Sequence, residues 1–570
     1  MMELPRIEGR RSLSVVSSRP WFSCRIGHVW LWAALGLFLA PSARAQPPLV
    51  FTDVTASAGI DFVHTIGDDA MTNIVESSGV GCALLDYDGD GYLDIYLVNG
   101  VHMDGLSDAV VPDKESLKTA LDRLYRNRGD GTFQDVTEAA GILPGGYGMG
   151  VVAVDFDNDG DQDIYVTNYG PNRLYRNLGN RTFEEVAEHL GVADGLFGVG
   201  AVFFDYDRDG DLDLYVGNYI EYDPDRGVAT DNFPGPTAYE GHPNRIYRND
   251  NNDRFQDVTR ASGMDVLLGR TMGVSSFDYD EDGLVDVFIA NDAMENYFFR
   301  NLGGGKFEDM ALLTGVAYAS NGEATGSMGA ELGDVNGDGL LDLFVPDYTH
   351  TCLYLNAGLG MFEDDARRAG IARVCGKYVS WGAVLADFDL DTDLHLYVAN
   401  GDAFRLEGHP DRVFTNDGKG RFKDESAGSG ACFGEARVSR GVAAGDYDND
   451  GDIDLLVAHL NDRPSLLRND TPRPNRHWLM LKLVGRDGAS NRAAVGALVR
   501  CTLQEENGTP HRLVHEVRSS GSYMCTHDAR LHFGLGSATQ VSTIEVRWPD
   551  GSLQTLHDVA ADQVLTVEQE

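Results

Sequence analysis

Basic residues are scarce in this chain: 46 Lys and Arg stand against 89 Asp and Glu in 570 residues, a formal net charge of −43. A surface of that sign repels a phosphate backbone, which argues against nucleic acid as a partner. Long apolar runs are also missing. After a short run near the N-terminus, nothing reaches the ~18 consecutive apolar residues of a membrane span, so no span is expected in the mature chain. No Cys-x-x-Cys or Cys-x-x-Cys-His occurs, which removes zinc-ribbon, thioredoxin-like and c-type haem readings. Nucleophile-elbow, His-Glu-x-x-His and phosphate-loop motifs are absent as well. Pro is modest at 19 and Gly abundant at 67, a balance that indicates many tight turns. With 42% apolar residues the chain can fill several cores, which excludes a disordered acidic tail.

The N-terminus carries Arg6, Arg10, Arg11, Arg19 and Arg25, then the apolar run from Val29 to Ala40, then Ala43-Arg44-Ala45 ahead of Gln46. This order is that of a signal peptide over 1–45, and it places the protein outside the cytoplasm, secreted or periplasmic. Cleavage leaves Cys82, Cys352, Cys375, Cys432, Cys501 and Cys525, an even number for an oxidising compartment. Cys375 with Cys432 and Cys501 with Cys525 are the expected bridges, and buried free thiols are the alternative.

Self-similarity dominates the middle of the chain. The block Asp86-Tyr87-Asp88-Gly89-Asp90-Gly91-Tyr92-Leu93-Asp94 is followed at once by the strand-like run Ile95-Tyr96-Leu97-Val98, and relatives of it begin at Asp155, Asp205, Asp278, Asp334, Asp387 and Asp446. A second block runs from Leu124-Tyr125-Arg126-Asn127 through a Gly-rich turn to Phe133-Gln134-Asp135-Val136-Thr137, and similar blocks carry Phe183, Phe255, Phe307, Phe362 and Phe422. Short alternating runs between Gly, Asn and Asp turns are the pattern of antiparallel hairpins, at a spacing that suits one four-stranded unit per repeat. After Leu466-Leu467-Arg468-Asn469 the expected Phe-x-Asp-Val-Thr is missing, but Phe51-Thr52-Asp53-Val54-Thr55 supplies it at the other end. A ring explains this phase relation and an open array does not, because the N-terminal strand completes the last sheet and removes exposed edges. The fold class expected is all-β: a seven-bladed β-propeller over 48–470, followed by a small β-sandwich over 475–570.

Oxygen donors at positions 1, 3, 5 and 9, a Gly at 6 and a backbone carbonyl at 7 suit a hard cation that takes six to eight oxygens, which points to calcium. The candidate ligands are Asp86, Asp88, Asp90, Tyr92 and Asp94; Asp155, Asp157, Asp159, Asp161 and Asp163; Asp205, Asp207, Asp209, Asp211 and Asp213; Asp278, Asp280, Asp282, Leu284 and Asp286; Asp334, Asn336, Asp338, Leu340 and Asp342; Asp387, Asp389 and Asp391; and Asp446, Asp448, Asp450, Asp452 and Asp454. Tyr92, Leu284 and Leu340 would give only their carbonyls. The sixth block departs from the pattern, with Thr392 in the place of Gly and His395 at position 9. An EF-hand would have a Glu at position 12, where this chain has apolar residues throughout. About five to seven ions are expected, holding the loops.

From about Asn475 the repeat stops, giving way to strand-like runs at 478–484, 497–503, 512–517, 531–535, 544–548 and 564–567. Asn491-Arg492 and His532-Phe533-Gly534-Leu535-Gly536 read as a loop brace and a turn, or as a ligand site. The acidic blocks resemble the FG-GAP or VCBS repeats of integrin α-chain propellers. Ser490-Asn491-Arg492, Gly496-Ala497, His532-Phe533-Gly534-Leu535-Gly536 and Val546-Arg547-Trp548-Pro549-Asp550-Gly551 resemble the ASPIC/UnbV domain, and the order of both parts is similar to secreted proteins of the cartilage acidic protein type. That resemblance implies an extracellular calcium-binding protein with an interaction role. The expected function is therefore a scaffold presented to an extracellular protein or glycan, with Tyr239-Glu240-Gly241-His242-Pro243 and Leu406-Glu407-Gly408-His409-Pro410 as recognition loops or local packing. The alternative is a calcium-dependent lyase or hydrolase of extracellular polysaccharide, for which His64, Glu76, His102, Glu240 and His242 could supply acid and base.

Overall fold

A computed structural model describes residues 48–107, 117–118, 120–226, 232–251, 254–265, 268–504 and 510–570. The expected signal segment lies outside these residues. Between Phe51 and Asn469 the described residues build seven antiparallel sheets of one four-stranded plan, the fourth of them gaining the short strand Thr325–Gly326 beside Asp286–Met294. The first consists of Cys82–Leu85, Asp94–Leu97, Arg123–Asn127 and Phe133–Asp135 in that order. The acidic block is the turn between the first two strands, and the Arg-Asn pair ends the third. The last sheet, Ser439–Gly445, Asp454–His459 and Ser465–Asn469, takes its fourth strand from the N-terminus: Phe51 lies opposite Asn469 and Asp53 opposite Leu467. The split repeat expected from the sequence is thus physically joined.

Two repeated residues couple each sheet to the one before it. Asn127, Asn177, Asn249, Asn301, Asn356, Asn416 and Asn469 each donate through Nδ2 to the carbonyl of the second residue of the preceding sheet's acidic loop, at 2.8 to 3.3 Å. For Asn127 of the first sheet that acceptor is Tyr447 of the seventh, so the series of bonds closes on itself. The repeated Phe takes the same path. Phe133 meets Tyr447 with ring centroids 5.9 Å apart, Phe183 meets Tyr87 at 5.9 Å, Phe255 meets Phe156 at 6.0 Å and Phe51 meets Phe388 at 5.3 Å. Each such pair contributes about 0.5–1.5 kcal/mol beyond simple burial. The Asp of Asp-Val-Thr caps the next turn: Asp135 Oδ1 accepts from both the amide and the hydroxyl of Thr137.

The C-terminal part forms two further sheets. His477–Val484 pairs antiparallel with Leu531–Gly536 and parallel with Gln563–Glu568. The other sheet is ordered Pro510–Glu516, Leu498–Gln504, Gln540–Arg547, Leu553–Ala560. The strand Leu553–Ala560 is not among the runs expected from the sequence. Its Leu556 and Val559 are only half-buried against the core, and Asp558 at φ 53° breaks the alternation between them, so no regular period marks the strand. Leu479, Leu481, Val499, Ile544 and Val546 share one continuous core with Phe203 and Phe255 of the third repeat sheet. Pro47–Glu570 is accordingly one compact unit.

The connection between Glu516 and Leu531 makes that unity concrete, because it runs along the innermost strands of the repeat sheets. Ser519 Oγ donates to Phe203 O and accepts from Phe203 N, Val151 N donates to Met524 O, Ala383 N donates to Ser522 Oγ, and Ala444 N donates to His527 Nδ1. Glu331 of the fifth sheet receives Arg518 Nη2 at 2.9 Å, the amide of Ser522 at 3.0 Å and His527 Nε2 at 3.0 Å. Burial opposes the Glu331 charge, but Arg518 and His527 outweigh it and hold the carboxyl at about 2.

The expected disulfides are not formed. All six described cysteines are free thiols, and Cys525 lies against Cys82, not Cys501. Cys501 sits within Leu498–Gln504, while Cys525 is carried away by the axial connection. Cys375 packs under the sixth sheet and Cys432 beside the seventh.

Candidate metal centres

Each acidic loop is a repeated set of hydrogen bonds. In the first, Asp86 accepts the amides of Asp90 and Gly91, and Asp90 Oδ1 accepts the amide of Tyr92. Asp94 at position 9 accepts Tyr87 N with one oxygen and Asn127 N with the other, and so ties loop to third strand. Asp163, Asp213, Asp286, Asp342 and Asp454 do the same in their own sheets. The loop winds left-handed at positions 4 and 6; at the latter Gly91, Gly160, Gly210, Gly283, Gly339 and Gly451 have φ between 86° and 101°. Glycine adopts that conformation without a Cβ clash.

Carboxylate oxygens from three residues lie within 4.8 Å of one another in Asp86/Asp88/Asp90, Asp155/Asp157/Asp163, Asp205/Asp207/Asp213 and Asp278/Asp280/Asp282, and in the sixth loop Asp389, Asp391 and a ring nitrogen of His395 meet the same distance. Oδ1 of Asp88, Asp207 and Asp448 is buried with no hydrogen-bond donor, as are both carboxylate oxygens of Asp389 in the sixth loop, a costly state that a nearby cation would relieve. The donor set is all oxygen, so these residues fit a hard divalent ion. Burial pushes Asp155, Asp205 and Asp446 up to about 7, and Asp94 and Asp342 to about 8, with the neighbouring carboxylates adding to the rise. Arginines from the third strand reach toward the charge: Arg126 lies 2.5 Å from Asp88 Oδ2, and Arg300 lies 2.7 Å from Asp280 and 3.1 Å from Asp282.

The sixth loop is built differently. Asp387 still accepts the amides of Asp391 and Thr392, so the winding is kept. Asp389 is wholly buried, 2.5 Å from Arg476 Nη1 and 3.5 Å from His395 Nε2. Burial alone would raise this carboxyl, but His395 and Arg476 hold it below the usual range. The C-terminal sheets close over the loop: Gly536 N donates to Leu390 O, and a Cβ on Gly534 would lie 1.9 Å from Asp387 Oδ2. The close approach explains Gly534 of His532-Phe533-Gly534-Leu535-Gly536, and Gly536 adopts φ 56°, which suits glycine.

Three more loops touch the C-terminal part. Arg492 N donates to Asn158 Oδ1 of the second, Arg547 Nη2 lies 2.5 Å from Asp278 of the fourth, and His532 Nε2 lies 3.0 Å from Gly451 O of the seventh. Asn491 folds back on the amide and carbonyl of Val495. These motifs are braces between the two parts. The Gly-His-Pro insertions are braces also: Gly241 pairs with Ile220 and His242 with Gly269, while Gly408 pairs with Gly401 and His409 with Arg437.

No hydrogen bond or ion pair joins any two of His64, Glu76, His102, Glu240 and His242 among the described residues. His64 is buried and pushed down to about 3, with Nδ1 accepting Asn461 N. Glu76 lies in the short helix Ile74–Ser78, which Asn73 caps; its Oε2 accepts the amide and hydroxyl of Thr72, and burial lifts it to about 7. His102 Nδ1 meets Gly67 O at 2.8 Å.

The geometry defines a class: an all-β protein of cyclically coupled acidic-loop hairpins, propeller-like in arrangement, with a docked C-terminal β part. The FG-GAP-like repeat model matches residues 86–166, 155–216, 278–345, 334–398 and 387–457, and the ASPIC and UnbV model matches 487–570. Because the repeat matches cover more than half of the chain, the protein belongs to the FG-GAP-like repeat family. It is similar to cartilage acidic protein 1 of Homo sapiens (26% identical, 86% of this chain and 63% of that protein) and of Mus musculus (27%, 86% and 64%). The chain thus spans a little under two thirds of the length of these relatives. Among solved structures it aligns with an Agrocybe aegerita lectin that recognises non-reducing terminal N-acetylglucosamine (16% identical, 62% of this chain and 89% of that one, TM-score 0.36), a likeness too low to carry an argument. Among the described residues no helix is long and apolar enough to cross a membrane.

Proposed function

We propose that the seven sheets form a closed seven-bladed propeller capped by a C-terminal β-sandwich, and that this body is an exported, calcium-stabilised scaffold for an extracellular protein or glycan. The observation that carries the calcium reading is the buried, donorless Oδ1 of Asp88, Asp207 and Asp448 inside all-oxygen loops. Four carboxylates drawn together in each regular loop repel one another, and a divalent ion lets them stay charged. Asp86, Asp88, Asp90 and Asp94 would hold the first ion with the Tyr92 carbonyl, and the matching residues of loops two to five and seven would hold the others. Since three of the six ion-holding loops already brace the C-terminal part, the ions serve the fold and not a direct bridge to a partner. Export is supported by the N-terminal sequence pattern and by the similarity to cartilage acidic protein 1.

Calorimetric titration of the purified protein with calcium, with melting followed in parallel, tests this reading. Five or six ions with a large rise in Tm are expected. Heat-silent titration and an unchanged Tm would remove calcium from the account and leave a cyclic β scaffold only.

A further inference from the structure

The axial connection that enters the ring of sheets carries Cys525, and the first residue of the first sheet's innermost strand is Cys82. Both are buried, Cys82 at 0% and Cys525 at 2% exposure, and their sulfurs lie 3.6 Å apart. The backbone on either side is already fixed. Thr526 N donates to Cys82 O at 3.1 Å, Leu84 N donates to Thr526 O at 3.2 Å, and Ala83 and Thr526 form a parallel bridge. Neighbours in such a ladder have Cα atoms about 4.8 Å apart, within the span a disulfide accepts. An S–S bond of about 2.05 Å therefore needs each sulfur to move by less than about 1 Å. Cys82 Sγ also lies 3.4 Å from Leu456 O, and Cys352 donates to His350 O at 3.1 Å.

We propose that Cys82 and Cys525 form a disulfide that staples the C-terminal part into the axis of the repeat sheets. The bond forms by thiol–disulfide exchange with a disulfide oxidant of an oxidising compartment. One thiolate attacks the oxidant, releasing one of its sulfurs as a thiol and giving a mixed disulfide. The second thiolate then displaces the other oxidant sulfur. The two cysteines lose two protons and two electrons, and the oxidant gains them as two thiols. Burial raises the Cys82 thiol well above its ordinary value, so exchange takes place before the connection is fully seated. The bond closes the chain from residue 82 to 525 into one loop, and the C-terminal part cannot then leave the axis without breaking it. The bond rests on the proposed export of the chain and is independent of cation binding.

The test is refolding of the reduced, denatured protein in a glutathione redox buffer, alkylation of free thiols in denaturant, and peptide mapping. A linked peptide pair containing Cys82 and Cys525 is expected, with two fewer alkylated thiols than in a reduced control. The Tm of the oxidised protein should fall on adding reductant, and the double variant Cys82→Ser, Cys525→Ser should lose that sensitivity. Full alkylation of every cysteine after oxidative refolding, or linkage of Cys525 to Cys501, overturns the proposal, and the mapping reads this on the unmutated protein even where the variant fails to fold.

Discussion

The second and sixth acidic loops have the same winding in different surroundings. At position 4 the second has Asn158 at φ 61° and the sixth Leu390 at φ 59°; at position 6 the second has Gly160 at φ 101° and the sixth Thr392 at φ 85°. Gly is at ease in that region, whereas a β-branched residue there costs on the order of 1–3 kcal/mol. The second loop keeps Asp157 partly open beside Arg176, while the sixth buries Asp389 completely between Arg476 and His395 under the C-terminal sheet. The loop backbone is therefore a structural turn that tolerates two means of neutralising its carboxylates. In the proposed reading a regular loop needs an external cation beside its third-strand arginine, while the sixth is neutralised by Arg476 and His395 of the chain itself.

The sharpest break between the two kinds of loop is cation removal. Each site saturated at a hundredfold excess over its Kd contributes about 2.7 kcal/mol, so chelation should lower Tm by more than any single substitution does. Hydrogen exchange resolved by peptide should then show loops one to five and seven losing protection while 387–395 keeps it. Equal loss at the sixth loop would end the distinction.

Removing the internal guanidinium attacks the same comparison from the other side. Arg476→Met leaves Asp389 buried beside His395 alone, and breaking a buried pair in this way costs about 3–5 kcal/mol. The loss should appear with and without calcium. A calcium-dependent rescue of the variant, or a gain of one bound ion by calorimetry, would show that the arginine had excluded a cation from the sixth loop.

The pH dependence of the cation-free protein gives a smaller and more distributed effect. The carboxyls of Asp94, Asp155, Asp205, Asp342 and Asp446 lie at about 7 to 8, chiefly through burial, against about 3.9 in an unfolded chain. Between those values the folded state binds more protons than the unfolded one, so stability falls as pH rises. Chelated protein should melt higher at pH 5 than at pH 8, and saturating calcium should remove or reverse the slope. A chelated Tm that rises over this interval contradicts the burial assigned to these groups.

Whether a feature could be read from the sequence depends on distance along the chain. The acidic blocks, the Phe and Arg-Asn strands and the split first repeat are local patterns repeated in register, and Phe51–Asp53 does complete the seventh sheet. The role of Asn127 could not be read in the same way, since its acceptor Tyr447 is 320 residues away and only ring closure brings the two together. Glu331 and His527, and likewise Cys82 and Cys525, carry no shared pattern, which is why the expected Cys501–Cys525 pairing relied on nearness in sequence and failed. Strand Leu553–Ala560 escaped because its half-buried Gln554, Leu556 and Val559 do not keep a strict alternation, which Asp558 at φ 53° interrupts.

The finest test concerns the strain held in the sixth loop. Thr392 sits at φ 85° while its amide donates to Asp387 Oδ2 at 2.7 Å, so the residue cannot relax without giving up the turn. Thr392→Gly keeps that amide and removes the Cβ from the left-handed conformation, although Gly also enlarges the entropy of the unfolded chain. The two effects oppose each other, and relief of strain should win by about 0.5–1 kcal/mol because β-branched residues are the least suited to this region. The matching change in a regular loop, Gly160→Thr, should destabilise by more than that, since a Cβ there also meets Arg492 Nε at 2.8 Å. Denaturant midpoints of the two variants, measured with calcium present, read the comparison directly. A destabilised Thr392→Gly would mean that packing of the threonine side chain, and not the loop backbone, holds the sixth turn in place.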